Sequence, residues 1–269
     1  MTAIQGQGVS AATGASTAGL AFDSAGEGDP HMLFLHGWCG DRSLFTPQFD
    51  HFSTWHRVVS VDLPGHGESR APTAYTIEAL AADVAALGRQ LSLGRGVLVS
   101  HSMGAMVALA LSRQAPELVS AVIMVDPPPL SKEVWKDFAG SLLPGFEGPD
   151  PGTARRNFVE QMFLPTDDAD RRAGIVKAMC AVPDGVAIAT TKAMAAFDAA
   201  AILRGCEVPV VVISSAVPTN GSAYLLEVNP AITIGQTIGA GHFLQLEVPE
   251  QVNLMIERFL SINPETSRQ

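Results

Sequence analysis

Residues 97–114 constrain this chain more than any other stretch. The apolar run Val97-Leu98-Val99 leads into Ser100-His101-Ser102-Met103-Gly104, and a segment rich in Ala, Leu and Met follows until Pro116. A short apolar run bounded by small residues reads as a buried strand, and the longer run as a helix stopped by the proline. Almost no residues separate the two, so the strand must turn into the helix within the small residues. The pattern recurs along the chain. Met32-Leu33-Phe34-Leu35 ends at His36-Gly37, and Val58-Val59-Ser60-Val61 ends at Asp62. Residues 121–125 end at Asp126 and three prolines, which cannot continue a ladder. Residues 208–213 and 231–238 read as further strands. Residues 76–91, with Thr76 as a candidate cap, and 251–260 read as helices. Such alternation predicts an α/β fold: a mostly parallel sheet flanked by helices.

Residues 130–206 break the alternation. They contain no β-like run and four helical stretches, at 132–141, 153–163, 170–180 and 186–200. The organisation expected is a core built from 1–129 and 207–269, with 130–206 as a helical cap over the strand ends. Of the 269 residues, 47% are hydrophobic and 16% charged, enough for a substantial core. The formal net charge of −10 opposes binding to phosphate backbones, so no nucleic-acid partner is expected. Residues 1–20 carry no basic residue and no apolar stretch, unlike a secretory leader. No run approaches the roughly 18 apolar residues of a membrane span. A cytoplasmic location is expected. Cys39, Cys180 and Cys206 form neither a disulfide framework nor a zinc-type pair, and no metal or cofactor is expected. Monomer and dimer are both compatible with the sequence.

Three segments carry chemistry. Ser102 stands on the sharp strand-to-helix turn, with Ser100 and Gly104 small enough for the two elements to approach closely. There the helix N-terminus favours a developing negative charge. A serine before a helix can also be an ordinary N-cap. His36-Gly37-Trp38 follows the earlier strand, where the N–H of Trp38 would join that of Met103 as an oxyanion hole. Gly239-Ala240-Gly241-His242-Phe243 precedes the last helix and places His242 where a general base would sit. Asp62 and His66 are expected to order the turn around Gly65-His66-Gly67. His101 has no clear catalytic part and is expected to pack nearby.

Together with Asp62-Leu63-Pro64-Gly65-His66-Gly67-Glu68-Ser69 and Glu247-Val248-Pro249-Glu250, these segments resemble the α/β-hydrolase superfamily over nearly all of the chain outside 130–206. The resemblance implies that fold, with the helical cap inserted after the sixth strand, Ser102 as nucleophile and His242 as base. One departure is Ser100, where the family most often has Gly. The family order is serine, acid, histidine, and the acid usually follows the strand at 208–213. Here Ser214-Ser215-Ala216-Val217-Pro218-Thr219-Asn220 holds no carboxylate, and Glu227 is expected on the next helix. The alternative position is the end of the preceding strand, where Asp126 stands. It could either orient His242 or cap the proline turn.

The cap segment supplies Trp135, Phe138, Leu142, Leu143, Phe146, Phe158, Met162, Phe163, Met179, Met194 and Phe197. Aromatic and methionine side chains make an adaptable apolar wall. The substrate-binding set expected is His36, Gly37, Trp135, Phe138, Met162, Met194, Phe197, Val217 and Phe243, with Trp38 and Met103 beside it. The partner expected is a hydrophobic, medium-sized small molecule. Arg155, Arg156, Arg171 and Arg172 could hold an anionic group but read better as a solvated helix face. The leading expectation is hydrolysis of a carboxylic ester or lactone through an acyl-enzyme. Dehalogenase and epoxide-hydrolase chemistry needs a carboxylate nucleophile, which Ser102 is not. Val99-Ser100-His101-Ser102 and the shifted acid are also similar to cofactor-free 3-hydroxy-4-quinolone 2,4-dioxygenases of the same fold. That resemblance implies a His242/Asp126 base, with Ser102 only bonding the substrate. Met103 departs from that family's second elbow histidine. A non-catalytic binding protein is the third reading.

Overall fold

A computed structural model describes residues 12–17 and 19–267. The expectation about a leader falls largely on residues 1–11, outside the described part. The centre is one eight-stranded sheet, ordered β1-β2-β4-β3-β5-β6-β7-β8. Its strands are β1 (Ala12–Ala15), β2 (Ala21–Ala25), β3 (Met32–Leu35), β4 (Val58–Val61), β5 (Gly96–His101), β6 (Val119–Val125), β7 (Val210–Ser214) and β8 (Thr233–Gln236). The β1–β2 and β2–β4 pairs are antiparallel, and every other neighbouring pair is parallel.

The five strands β3 to β7 are buried along their whole length. Successive side chains point to opposite faces of a sheet, and here both faces are apolar. Leu33, Leu35, Val59, Leu98, Val122 and Val212 belong to one hydrophobic cluster. Their chain neighbours Met32, Phe34, Val58, Val97, Ile123 and Val211 belong to the other. On the first face lie α2 (Ile77–Gln90) and α3 (Met103–Gln114), through residues such as Leu80, Val84, Met106 and Leu109. On the second lie α1 (Thr46–Phe52) and α11 (Pro249–Ile262), through Phe52, Val252, Ile256 and Phe259. Thr76 caps α2 as expected, accepting the Ala79 N–H at 3.1 Å.

Between β6 and β7 the chain is helical: α4 (Lys132–Phe146), α5 (Pro151–Glu160), α6 (Ala169–Ala181), α7 (Asp184–Ala196) and α8 (Ala199–Arg204). Local chemistry places their ends. Asp150 caps α5, accepting the Thr153 N–H at 3.0 Å, and Pro151 takes the first helical position, where its missing N–H costs nothing. The helix expected over 186–200 is two. Phe197 is extended, and Asp198 starts α8 by accepting the Ala201 N–H at 2.9 Å. Helix α8 rests against α3 and α9 (Ser222–Val228), so the insertion ends packed on the sheet's own helices. No single helix among the described residues is long and apolar enough to cross a membrane.

Candidate active site

Strand β5 ends at His101 and α3 starts at Met103, so Ser102 makes the turn alone. Its φ is 51° and ψ −121°, a left-handed region that non-glycine residues rarely occupy. Two backbone bonds hold it there. The Ser102 N–H donates to Val125 O at 3.1 Å, and its carbonyl accepts the Ala105 N–H at 2.9 Å. The small neighbours are required by packing. A Cβ on Gly104 would fall 2.2 Å from the Leu35 carbonyl oxygen, and the Ser100 hydroxyl donates to Ile123 O at 2.8 Å. Ser102 makes no side-chain capping bond to α3, so helix capping is not its role. The residue is 9% exposed.

Parallel register brings Asp126 to the same sheet edge. His101 pairs with Val125, and Val125 with Ile213, so Ser102 and Asp126 each lie one residue past a paired position. The Asp126 N–H donates to Ile213 O at 2.8 Å, with φ at 41°. One carboxylate oxygen accepts the Ser215 N–H at 2.9 Å. The other lies 2.6 Å from His242 Nδ1. An ionised carboxylate only accepts, so Nδ1–H is the donor, and in the neutral ring this tautomer leaves the lone pair on Nε2. Asp126 thus orients His242 rather than merely capping the proline turn. The 214–220 loop contributes a backbone donor instead of an acid. Glu227 lies exposed on α9.

The remaining expected site residues fall into two groups. The backbone N–H groups of Trp38 and Met103 have no acceptor among the described residues, as a hole for a developing oxyanion requires. Gly37 lies against the elbow: a Cβ there would come within 2.9 Å of Ser102 Cβ. His36 is fully buried and works for the main chain. Its Nδ1–H donates to Gly37 O at 2.8 Å, and its Nε2 accepts the Leu63 N–H at 2.9 Å. The Trp38 ring stacks on Phe146 at 5.6 Å, and its Nε1–H donates to Ala187 O at 3.0 Å, which ties the strand loop to α4 and α7.

A cavity of about 590 Å³ opens between this edge and the helical insertion. Trp135, Phe138, Met162 and Val217 line it as expected, together with Asp126 and His242. Met194, Phe197 and Phe243 do not. Each is at most 3% exposed and packs into the core. His36, Gly37, Trp38, Ser102 and Met103 are also not part of the lining. Phe158, Phe163, Val134, Gln161, Leu164 and Thr219 are lining residues outside the expected substrate-binding set. A signal for one existed: Val134 and Phe138 are four apart on α4 and share a face. Val134, Phe138 and Val217 are among the few exposed large apolar side chains, which marks the cavity mouth.

The arginines expected on a solvated face divide. Arg155 is 5% exposed and donates to Cys180 O at 2.9 Å and to Asp184 at 2.8 Å, so it is a buried tie between α5, α6 and α7. Arg171 pairs with Glu247 at 2.6 Å, and Arg172 with Glu160. Neither Lys nor Arg lines the cavity. No cluster of three metal-ligating side chains occurs among the described residues. Asp62 is buried and orders its turn, accepting the Arg42 N–H at 2.8 Å and the Glu68 N–H at 2.9 Å and pairing with the Arg42 guanidinium.

Burial sets a pH limit. Desolvation pushes His36 down to about 4, and burial together with the nearby His36 ring, 5.3 Å away, pushes His66 down to about 3. His101 is likewise held well below its ordinary value, first by burial and then by His242. Between pH 6.5 and 4 the unfolded chain binds protons at these positions and the folded chain does not. Stability therefore falls as the pH is lowered through this range, by about 1.4 kcal/mol per unit for each such histidine. Urea midpoints measured across that range should drop steadily, and His66→Asn should make the slope shallower by about one proton. An unchanged slope would show that His66 does not titrate on unfolding.

Comparison with known proteins agrees with the fold. Residues 30–164 match the family model described as the alpha/beta hydrolase fold, and the chain belongs to that family. A putative esterase/lipase of Haemophilus influenzae is 26% identical over 248 residues, covering 87% of this chain and 84% of that protein. Protein ABHD8 of Bos taurus is 28% identical over 270 residues, covering 90% of this chain, which spans 58% of that longer protein. Among solved structures, the enol-lactonase from Burkholderia xenovorans LB400 has the same fold, with a TM-score of 0.77 at 24% identity over 90% of this chain and 96% of that one.

Proposed function

We propose that this protein is a serine hydrolase that cleaves hydrophobic carboxylic esters or lactones through an acyl-enzyme. One observation carries the reading: a strained Ser102 with no capping bond shares a sheet edge with an Asp126–His242 pair at 2.6 Å. In the reaction, His242 Nε2 takes the Ser102 hydroxyl proton as Oγ attacks the carbonyl carbon. The N–H groups of Trp38 and Met103 receive the oxyanion. His242 then returns the proton to the leaving alkoxide, and the acyl group stays on Ser102. Water then attacks the acyl carbon while giving a proton to His242, and His242 passes that proton to Ser102 Oγ as the Oγ–acyl bond breaks and the acid leaves. Asp126 holds the ring in the tautomer that leaves Nε2 free and stabilises the imidazolium. The helical insertion serves as the cap, and its aromatic wall, free of Lys and Arg, suits an uncharged apolar substrate. The name of the Haemophilus relative, an esterase/lipase, supports the same class.

One observation favours a second reading. The cavity reaches Asp126 and His242 and not Ser102. In a cofactor-free dioxygenase that dyad alone would deprotonate a 3-hydroxy-4-quinolone, whose anion reacts with O₂. A fluorophosphonate probe and an oxygen electrode separate the two. The hydrolase reading expects a mass adduct on Ser102, turnover of a medium-chain p-nitrophenyl ester and no O₂ uptake with the quinolone. O₂ uptake that persists in Ser102→Ala would overturn it.

A further inference from the structure

His242 sits in the loop between β8 and α10 (Leu244–Glu247), outside any sheet ladder. Its main chain is tied largely from outside its own element. The His242 N–H donates to Met162 O at 2.9 Å, and the preceding N–H, of Gly241, donates to Asp167 Oδ1 at 3.1 Å. Thr166 Oγ1 donates to Gly239 O at 3.2 Å. All three partners belong to one short loop of the helical insertion, between α5 and α6. From the core side, His101 Nε2–H donates to the His242 carbonyl at 2.9 Å.

Asp167 is the centre of this contact. It is 8% exposed, and no Lys or Arg pairs with it among the described residues. A buried carboxylate without a cation is costly unless its oxygens are well bonded. Here one oxygen serves Gly241 and the other accepts the Leu164 N–H at 2.8 Å, which closes its own loop. Gly241 makes room for it: a Cβ there would lie 2.5 Å from Asp167 Oδ2 and 2.8 Å from Met162 O. Just beyond, the Asp168 N–H donates to Glu247 at 3.0 Å and Arg171 pairs with the same oxygen, so the loop is anchored on both sides of His242.

We propose that Asp167 is a positioning residue: through it the insertion loop fixes the Gly241–His242 backbone, and His242 is aligned with Asp126 and Ser102 only while that loop is docked. The proposal rests on His242 being the base of the reading above. Its consequence is that the cap cannot swing away at this end without moving the base. Substrate must then enter through the cavity mouth at Val134, Phe138 and Val217.

Asp167→Asn keeps the size and leaves only one acceptor oxygen for two N–H donors. It should lower kcat by about 10- to 100-fold with KM unchanged, the cost of a misplaced catalytic group. The downfield proton resonance of His242 Nδ1–H should broaden or shift. Thr166→Val, a milder cut in the same contact, should move both readouts in the same direction and serves if Asp167→Asn does not fold. An unchanged resonance, with activity lost only in proportion to unfolded protein, would overturn the proposal. If the wild-type protein hydrolyses no ester, the reading of function fails while the resonance still decides the latch. Its loss in the variants would support the contact with His242, and its persistence would refute it.

Discussion

Ser102→Ala is expected to abolish both fluorophosphonate labelling and ester turnover, with kcat falling by about 10⁶-fold. The size follows from the proposed mechanism: in it no acyl-enzyme forms without Oγ, and only binding and the proposed oxyanion donors at Trp38 and Met103 remain to assist water. Folding should survive. Alanine inherits the strain of φ 51° that serine already bears, and the Ser102 side chain accepts no capping bond that could be lost. Ser102→Gly is the sharper control. It removes the same hydroxyl but relaxes a left-handed position, so it should be equally inactive and more resistant to heat. Full turnover in either variant would transfer the chemistry to the His242–Asp126 pair.

The second large effect is at the acid. Asp126→Asn should cost about 10⁴-fold in kcat near neutral pH. An amide that turns its NH₂ toward Nδ1 selects the tautomer protonated at Nε2, which cannot take the Ser102 proton. Asn tolerates positive φ nearly as well as Asp does, so the φ of 41° should not unfold the variant. Glu227→Gln, on the exposed side of α9, should leave turnover unaltered. The opposite pattern, with Asp126→Asn active and Glu227→Gln dead, would remove Asp126 from the mechanism. The comparison matters because the usual loop after β7 has no carboxylate and offers the Ser215 N–H in its place.

Where the fold was legible in the sequence, one physical property made it so. The strands β3 to β7 are buried on both faces, and double burial turns a strand into an uninterrupted apolar run such as Val97-Leu98-Val99. Strands β1 and β2 gave no such signal. Ala12–Ala15 is an exposed edge of small residues, and Asp23 on β2 faces Arg42 rather than a core. The break at Phe197 was hidden because alanines continue on both sides of it. The mark of the break is Asp198, the cap of α8, and an Asp can equally sit on the surface of an unbroken helix.

The site divides in the same way. Ser102, Asp126 and His242 were readable because each ends or follows a recognisable strand, and parallel register assembles strand ends at one edge. The cavity wall was not. Composition named the apolar residues of 130–206 but not their faces. Met194 and Phe197 look like Met162 and Phe158 in sequence, and only packing sends the first pair into the core. His36 misled for a related reason. Its place beside Gly37 fits substrate contact, while its two ring nitrogens are both taken by the main chain.

The proposed acid at the end of β6 also bears on how the protein can change over evolutionary time. In a hydrolase whose acid follows β7, that loop must keep one carboxylate in place, and lengthening or exchange is penalised. Here residues 214–220 supply only a backbone N–H to Asp126, which almost any residue can provide. The same loop sends Ser215, Val217 and Thr219 to the cavity. Selection, natural or in the laboratory, can therefore redraw that wall by substitution at Val217 and Thr219 while the proton-transfer machinery stays untouched. A library confined to those two positions should yield altered ester preference at little cost in maximal rate.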